Sequence, residues 1–465
     1  MAETIAALLL SITFLTGNGD GRASGWKAGT AKAVITPERK IWMAGYGSRD
    51  KPAEGTLHDL WIKALAIEDA DGRRAVILTA DLVGISQGVY EHVCAKLKEK
   101  LGLDRAQIML TSSHTHCGPV LSDALKDIYP VNDEQIAWID EYTRWLQDKM
   151  VDVLVEAVGK LAPATLSRGE GVARFAVNRR ENPEADVPKL REQGDLKGPI
   201  DHAVPVLVVR DANEKLVSVL FGYACHNTTL SFYQWCGDYA GFAQIELEKS
   251  HPGAQAMFYM GCGADQNPLP RRTVELCENY GKQLAAAVDD VLRNSTDPLP
   301  PSLHTSFSML ELNLDAAPTR EFLVERASGK GDYVARWAKR LLDDLDHQKP
   351  FRRTYPFPVQ VWLLGGTQWW ISLGGEVVVD YSLRLKQEID SHLWITAYAN
   401  DVMAYIPSLR VLREGGYEGQ SSMMVYGMPA ERWAPDVEEL IVATVKRLVS
   451  QVRQADKSPK VSSAK

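Results

Sequence analysis

Two histidines stand two residues apart in Ser113-His114-Thr115-His116-Cys117-Gly118-Pro119, directly after an apolar run at Gln107–Thr111. A third, His226, lies in Cys225-His226-Asn227-Thr228 after a second such run, Val217–Ala224. Glu376 follows Gln368–Leu373 across Gly374-Gly375, and Tyr405 follows Leu393–Tyr398 and Asn400. Imidazole, carboxylate and phenol are nitrogen and oxygen donors of the kind that hold Zn²⁺ in tetrahedral geometry. Each residue alone also has an ordinary reading. The two rings of an HxH pair point the same way in an extended segment and need not do so in a turn. A buried histidine is commonly satisfied by a backbone carbonyl, and a glutamate that opens a helix is favoured by the macrodipole. Four such side chains at four strand ends, each beside glycine or small polar residues, favour one shared metal site. A cysteine nucleophile at Cys117 beside His116 is the weaker reading, because loop neighbours rarely reach the required geometry and no third orienting group follows.

The elements that must carry these residues are written in the hydrophobic pattern. Buried strands are expected at Ala75–Leu82, Gln107–Thr111, Val204–Val209, Val217–Ala224, Ala256–Met260, Val359–Leu364, Gln368–Leu373 and Leu393–Tyr398. Amphipathic helices are expected at Gln87–Leu101, Glu134–Leu161 with Asn132 or Asp133 as N-cap, Thr273–Leu292, Arg320–Leu345, Glu376–Ile389 and Val437–Val452. Strands alternating with helices predict an α/β fold: one large catalytic domain with mixed sheets flanked by helices. Sites in such folds collect outside the carboxyl ends of strands, where the four candidates lie.

Composition narrows the function classes. The 465 residues are 45% hydrophobic and 24% charged, which excludes disordered, collagen-like and multi-span membrane chains. With 52 Lys+Arg against 60 Asp+Glu, a net charge of -8 and no long basic run, nucleic acid is not an expected partner. No repeat of 20 to 50 residues and no Gly/Ser or Pro-rich linker divides the chain. The apolar stretch Ile5–Leu15 is too short to span a bilayer, and the small polar segment after it resembles a secretory signal cleaved near Ala23. Against that stands the absence of Lys or Arg before it, with Glu3 in their place. Export to the periplasm or beyond is the expectation, with residues 1–24 removed, 25–453 folded and 454–465 disordered. The six cysteines, Cys94, Cys117, Cys225, Cys236, Cys262 and Cys277, contain no CxxC pair; they are too few for a disulfide scaffold and leave room for one or two bridges.

An ordered set of segments adds a family resemblance. These are Trp26-Lys27-Ala28-Gly29, Thr36-Pro37, Met43-Ala44-Gly45-Tyr46-Gly47, Leu57-His58-Asp59, Thr79-Ala80-Asp81-Leu82, Ser113-His114-Thr115-His116 and Ala176-Val177-Asn178-Arg179. They continue with Gly222–Thr228, Gly374-Gly375-Glu376, Ala399-Asn400 to Tyr405 and Tyr417-Glu418-Gly419. From about Gly25 to Val449 the chain resembles the N-terminal catalytic region of the neutral/alkaline, non-lysosomal ceramidases. The resemblance implies a zinc ion on His114, His226, Glu376 and Tyr405, with His116, Arg179 and Tyr417 serving catalysis and transition-state binding. It implies metal-assisted hydrolysis of an N-acylsphingosine amide, a lipid-like small-molecule substrate, and room for peripheral membrane contact. The family also appends a C-terminal immunoglobulin-like domain, which is not expected within these residues. One departure touches the substrate: where ceramide-cleaving members carry Gly-Asp-Val-Ser-Pro-Asn, the equivalent strand end here reads Gly261-Cys262-Gly263-Ala264-Asp265-Gln266-Asn267-Pro268, so in an ungapped alignment Gln266 replaces the serine and is expected to reshape the pocket. That departure supports one alternative, a zinc hydrolase of another amide or ester; a second, an inactive family member that binds such ligands, has the complete set with His116 and Tyr417 against it.

Overall fold

Backbone hydrogen bonding sorts the apolar runs into two sheets. The computed structural model describes residues 25–457 apart from Lys126 and Lys330, so the expected signal segment and residues 458–465 lie outside the described residues. The larger sheet uses β1 (Trp26–Val34), β2 (Trp61–Glu68), β3 (Arg74–Ala80), β4 (Ile108–Ser112), β5 (Ala162–Val172), β6 (Ala203–Asp211), β7 (Leu216–Tyr223) and β8 (Gln255–Met260). Their spatial order is β8-β7-β6-β5-β1-β2-β3-β4, with Asp297–Leu299 added against β5. The two outermost pairs, β7 with β8 and β3 with β4, are parallel, and the inner ladders are antiparallel. The smaller sheet runs β9 (Leu303–Asn313), β10 (Thr354–Leu364), β11 (Gln368–Leu373), β12 (Trp394–Thr396), with β11 and β12 parallel.

The period of two along these strands sends alternate side chains to two cores. One face of the large sheet, including Trp26, Ile67, Ile77, Met109, Leu220 and Met257, packs against the small sheet's Trp362, Trp370 and Trp394. Those tryptophans are register partners across β10, β11 and β12, and their rings meet at 5.8 and 5.5 Å. The other face, with Ala64, Leu78, Leu110, Val208 and Phe221, packs against helices Gln87–Leu101, Asp133–Gly159, Asp238–Ser250 and Val274–Arg293. Helix Val437–Lys457 covers β9 and β10. The result is a helix–sheet–sheet–helix stack, the mixed α/β architecture expected. Among the described residues no helix is long and apolar enough to cross a membrane.

Several expectations hold in detail. The Asn132 side chain accepts from the Gln135 amide at 2.9 Å and Thr273 accepts from the Leu276 amide at 3.2 Å, so both helices begin where their caps dictate. Trp369, Trp370 and Trp235 are buried core residues. Other expectations need correction. Arg320–Leu345 is two helices, Arg320–Ala327 and Tyr333–Asp346, because the intervening turn contains Gly329 and Gly331, the latter at φ 77°. Glu376 does not open a helix; it lies on a two-residue strand, and the helix starts at Val379. The last helix runs to Lys457, into the tail expected to be disordered. All six cysteines are free and buried, so neither Cys225 with Cys262 nor any other pair is bridged.

The β12–Tyr405 connection contains a buried carboxyl with a calculable pH signature. Burial pushes Asp401 up to about 7, against the Tyr355 hydroxyl that donates to it at 2.9 Å. The unfolded value is about 3.9, so the folded chain holds this proton more tightly. Stability from Asp401 is therefore complete below about pH 4 and is lost as pH rises through about 7. Asp401→Asn removes this dependence and retains an acceptor for Tyr355. Between pH 4 and 8 the stability of the wild type relative to the variant is expected to fall by about 4 kcal/mol. Urea unfolding across that range measures it, and a difference that rises with pH refutes it.

Candidate metal centre and active site

The carboxyl ends of β4, β7, β11 and β12 bring the candidates together. His114 follows β4 at φ 59°, a left-handed conformation uncommon for a residue with a Cβ. This turn, rather than an extended HxH segment, makes the two rings converge: His114 Nε2 and His116 Nε2 are 3.1 Å apart. His226 follows β7, its amide donating to the Gln266 carbonyl at 2.9 Å. Glu376 and Tyr405 are register partners in a short parallel ladder, which puts both side chains on one side of it. The Glu376 amide donates to Ala404 O and the Gly375 amide to Asp401 O, both at 2.8 Å.

Glu376 Oε2 is 3.2 Å from His114 Nε2 and 3.2 Å from His226 Nε2. The Tyr405 hydroxyl is 3.2 Å from His226 Nε2. The outer ring nitrogens decide the tautomers. His114 Nδ1 lies 2.5 Å from Val83 O and His226 Nδ1 lies 2.7 Å from Gly263 O. A carbonyl oxygen only accepts, so each Nδ1 carries the proton and each Nε2 presents a lone pair inward. Two lone-pair nitrogens and a carboxylate oxygen, all buried, then converge, with the Tyr405 and Tyr398 hydroxyls as donors at their edge. A cation satisfies that arrangement, and the donor set suits a borderline ion such as zinc. The buried trio His114, His116 and His226 has ring nitrogens within 4.8 Å of one another and can also hold a metal ion.

Electrostatics follow from burial and from these neighbours. Burial raises the Glu376 carboxyl, but His114 and His226, when a ring carries a second proton, outweigh it and hold the group well below the usual carboxylate range. Burial, then the Arg179 charge, lowers His226 to about 4. Burial, with His114 and His226 beside it, keeps His116 well below the ordinary imidazole range. Its Nδ1 is buried without a partner among the described residues. His116 is thus a neutral imidazole at the edge of the centre.

Arg179 is more committed than the sequence suggests. Its guanidinium donates to Glu418 at 2.8 Å, to Asn267 at 3.3 Å and to the Tyr405 hydroxyl at 3.2 Å. It forms both a structural ion pair and a direct contact with a candidate ligand. Tyr417 packs edge-on against Tyr405 with centroids 5.1 Å apart and is 42% exposed, so the centre opens to solvent on its side.

The structure adds residues that sequence reasoning missed. Tyr398 and Tyr426 both donate to Glu376, Tyr398 to Oε2 at 3.2 Å and Tyr426 to Oε1. The Tyr46 ring packs on His116 at 4.6 Å. Its neighbour Gly45, at φ 101°, lies where a Cβ would come 2.4 Å from the His116 ring. The glycine-rich Met43–Gly47 segment was the available signal for the last two. Gly45→Ala is expected to displace His116 and lower kcat by about 100-fold with metal content unchanged; elemental analysis beside steady-state kinetics checks this, and near-normal kcat refutes it.

Gln266 departs from expectation. Its side chain is fully buried, donates to Ala224 O at 2.5 Å and accepts from the Asp201 amide at 3.2 Å. It braces the loop beneath His226, whose amide donates to the Gln266 carbonyl, and both ends of its amide group are taken up by backbone partners. Cys117 is fully buried and burial pushes its thiol well up, which disfavours the nucleophile reading.

Comparison with known proteins gives the following. Residues 26–284 match the family model described as neutral/alkaline non-lysosomal ceramidase, N-terminal. The chain is 31% identical to a neutral ceramidase of Pseudomonas aeruginosa over 235 residues, 49% of this chain and 34% of that protein. It is 24% identical to neutral ceramidase 1 of Arabidopsis thaliana over 272 residues, 57% of this chain and 34% of that protein. The matched part is thus about a third of the length of these relatives. A crystal structure of the P. aeruginosa neutral ceramidase superposes with a TM-score of 0.71 at 21% identity, covering 93% of this chain and 75% of that one. A ceramidase complexed with C2 superposes equally well, at 0.71 and 20% identity, covering 92% and 76%.

Proposed function

Because the chain belongs to the neutral/alkaline, non-lysosomal ceramidase family, we propose that it is a zinc-dependent amidohydrolase that cleaves N-acylsphingosine, or a close N-acyl lipid, to the amine and a fatty acid. The observation that carries this reading is the inward convergence of His114 Nε2, His226 Nε2 and Glu376 Oε2 beside the Tyr405 hydroxyl. These four residues are the proposed ligands. Zinc held there would supply a Lewis acid and would lower the pKa of water from about 15.7 to near 7.

The chain's own residues divide the remaining work. His116, neutral and touching His114, accepts a proton from the attacking water and returns it to the departing amine nitrogen. Tyr417, on the open side, donates to the oxygen that gains charge when the carbonyl carbon becomes tetrahedral, a contribution of about 3 kcal/mol for one such donor. Arg179 steadies the Tyr405 oxygen and opposes the effect of burial on its ionisation. The apolar Ile5–Leu15 stretch supports export as the accompanying proposal.

The test is fatty-acid release from an N-acylsphingosine, followed by mass spectrometry, before and after zinc is stripped with a chelator and restored. Release that disappears and returns with zinc is the expected result. No release from folded, zinc-loaded protein overturns the substrate, and failure to take up zinc overturns the metal reading.

A further inference from the structure

Glu376 is held at both oxygens by phenols, and the two contacts are unequal. Oε2 faces His114 and His226 and also receives the Tyr398 hydroxyl. Among the described residues the partner of Oε1 is Tyr426, whose hydroxyl donates to it. Tyr426 is no chance neighbour. It ends the short helix Ser422–Val425, which follows the Tyr417–Ser421 turn, and the next residues are pinned from helix Tyr333–Asp346. Trp337 Nε1 donates to Met428 O at 2.8 Å, and the Arg340 guanidinium donates to Gly427 O at 2.8 Å while paired with Asp127. Gly427 is at φ 69° and a Cβ there would meet that Arg340–Asp127 pair at 3.0 to 3.1 Å, so the turn that aims Tyr426 has little freedom.

We propose that Tyr426 is a positioning residue for the metal: by holding Oε1 it leaves Oε2 as the one oxygen Glu376 offers, and so sets the affinity of the centre. This rests on the reading of Glu376 as a metal ligand given above. A carboxylate without that partner rotates about its terminal bond and loses a charge-assisted hydrogen bond, and loss of such an outer partner commonly weakens metal binding 10- to 100-fold.

The experiment titrates metal-free protein with zinc in competition with a chelating fluorophore. Tyr426→Phe keeps the buried ring and removes only the hydroxyl. Its zinc dissociation constant is expected to rise about 10- to 100-fold, with kcat within a fewfold of wild type once zinc is saturating. The same substitution made on Glu376→Gln, which carries no charge to hold, is expected to add less than about twofold; equal effects in both backgrounds overturn the proposal and mark the role as packing. Tyr426→Phe binding zinc within twofold of wild type also overturns it. A wild type that takes up no zinc overturns the metal reading itself, so the two failures are distinct.

Discussion

His114→Ala is expected to yield a folded protein that no longer retains zinc through dialysis and has no measurable amide hydrolysis. His114 sits at the centre of the cluster: its Nε2 is 3.2 Å from Glu376 Oε2 and 3.1 Å from His116 Nε2, and its ring lies 4.7 Å from that of His226. Removing it leaves a gap and takes away one of the two lone-pair nitrogens that converge with the Glu376 carboxylate. The activity loss should exceed the roughly 10²- to 10⁴-fold range of a lost proton-transfer group, because every later step depends on the metal. The fold should survive, because the strand before it is held independently: the Asn400 side chain accepts from the Leu110 amide at 3.0 Å and its own amide donates to Leu110 O at 2.7 Å. Elemental analysis, circular dichroism and the fatty-acid assay together decide the matter. A variant that keeps stoichiometric zinc would remove His114 from the ligand set.

His116→Ala is expected to separate chemistry from metal binding. Zinc should remain, since the proposed ligands are untouched, while kcat falls about 10²- to 10⁴-fold. The outcome is informative because geometry alone also groups His116 with His114 and His226 as a trio able to hold an ion. Zinc loss in His116→Ala comparable to that in His114→Ala would make His116 a ligand and would leave Tyr405 as the group that polarises substrate. Zinc retention with slow turnover supports the division of roles proposed above.

How much of this was legible without coordinates differs from element to element. Helix starts at Asn132 and Thr273 were readable because a cap is a local event in which one side chain satisfies an amide three residues on. Strands β4, β7 and β11 were readable as dense apolar runs buried on both faces. Strands β1 and β5 were missed: Trp26–Val34 is rich in alanine, glycine and lysine, and Ala162–Val172 contains few large apolar residues. Their place is set by ladder partners far away in sequence, such as Lys27 opposite Glu68 and Leu166 opposite Val209. Helix Asp238–Ser250 was missed because, apart from Tyr239 and Leu247, its buried residues are small or polar, among them Ala240, Gly241 and Gln244.

The candidate site follows the same division. Sequence alone determined which donors exist and that they follow apolar runs, because residue type and apolar periodicity are local properties of the chain; the family motifs then pointed to His116, Arg179 and Tyr417 as candidates. Only the tertiary structure decided that His114 turns through a left-handed conformation to meet His116, that Arg179 reaches both Glu418 and Tyr405, and that the Gln266 side chain bonds to Ala224 and Asp201. It alone placed Tyr398 and Tyr426 on the two oxygens of Glu376. The reason is physical: a buried carboxylate must find donors wherever packing brings them, and residues 22 and 50 positions away become its neighbours only when two sheets and a helix have closed around it.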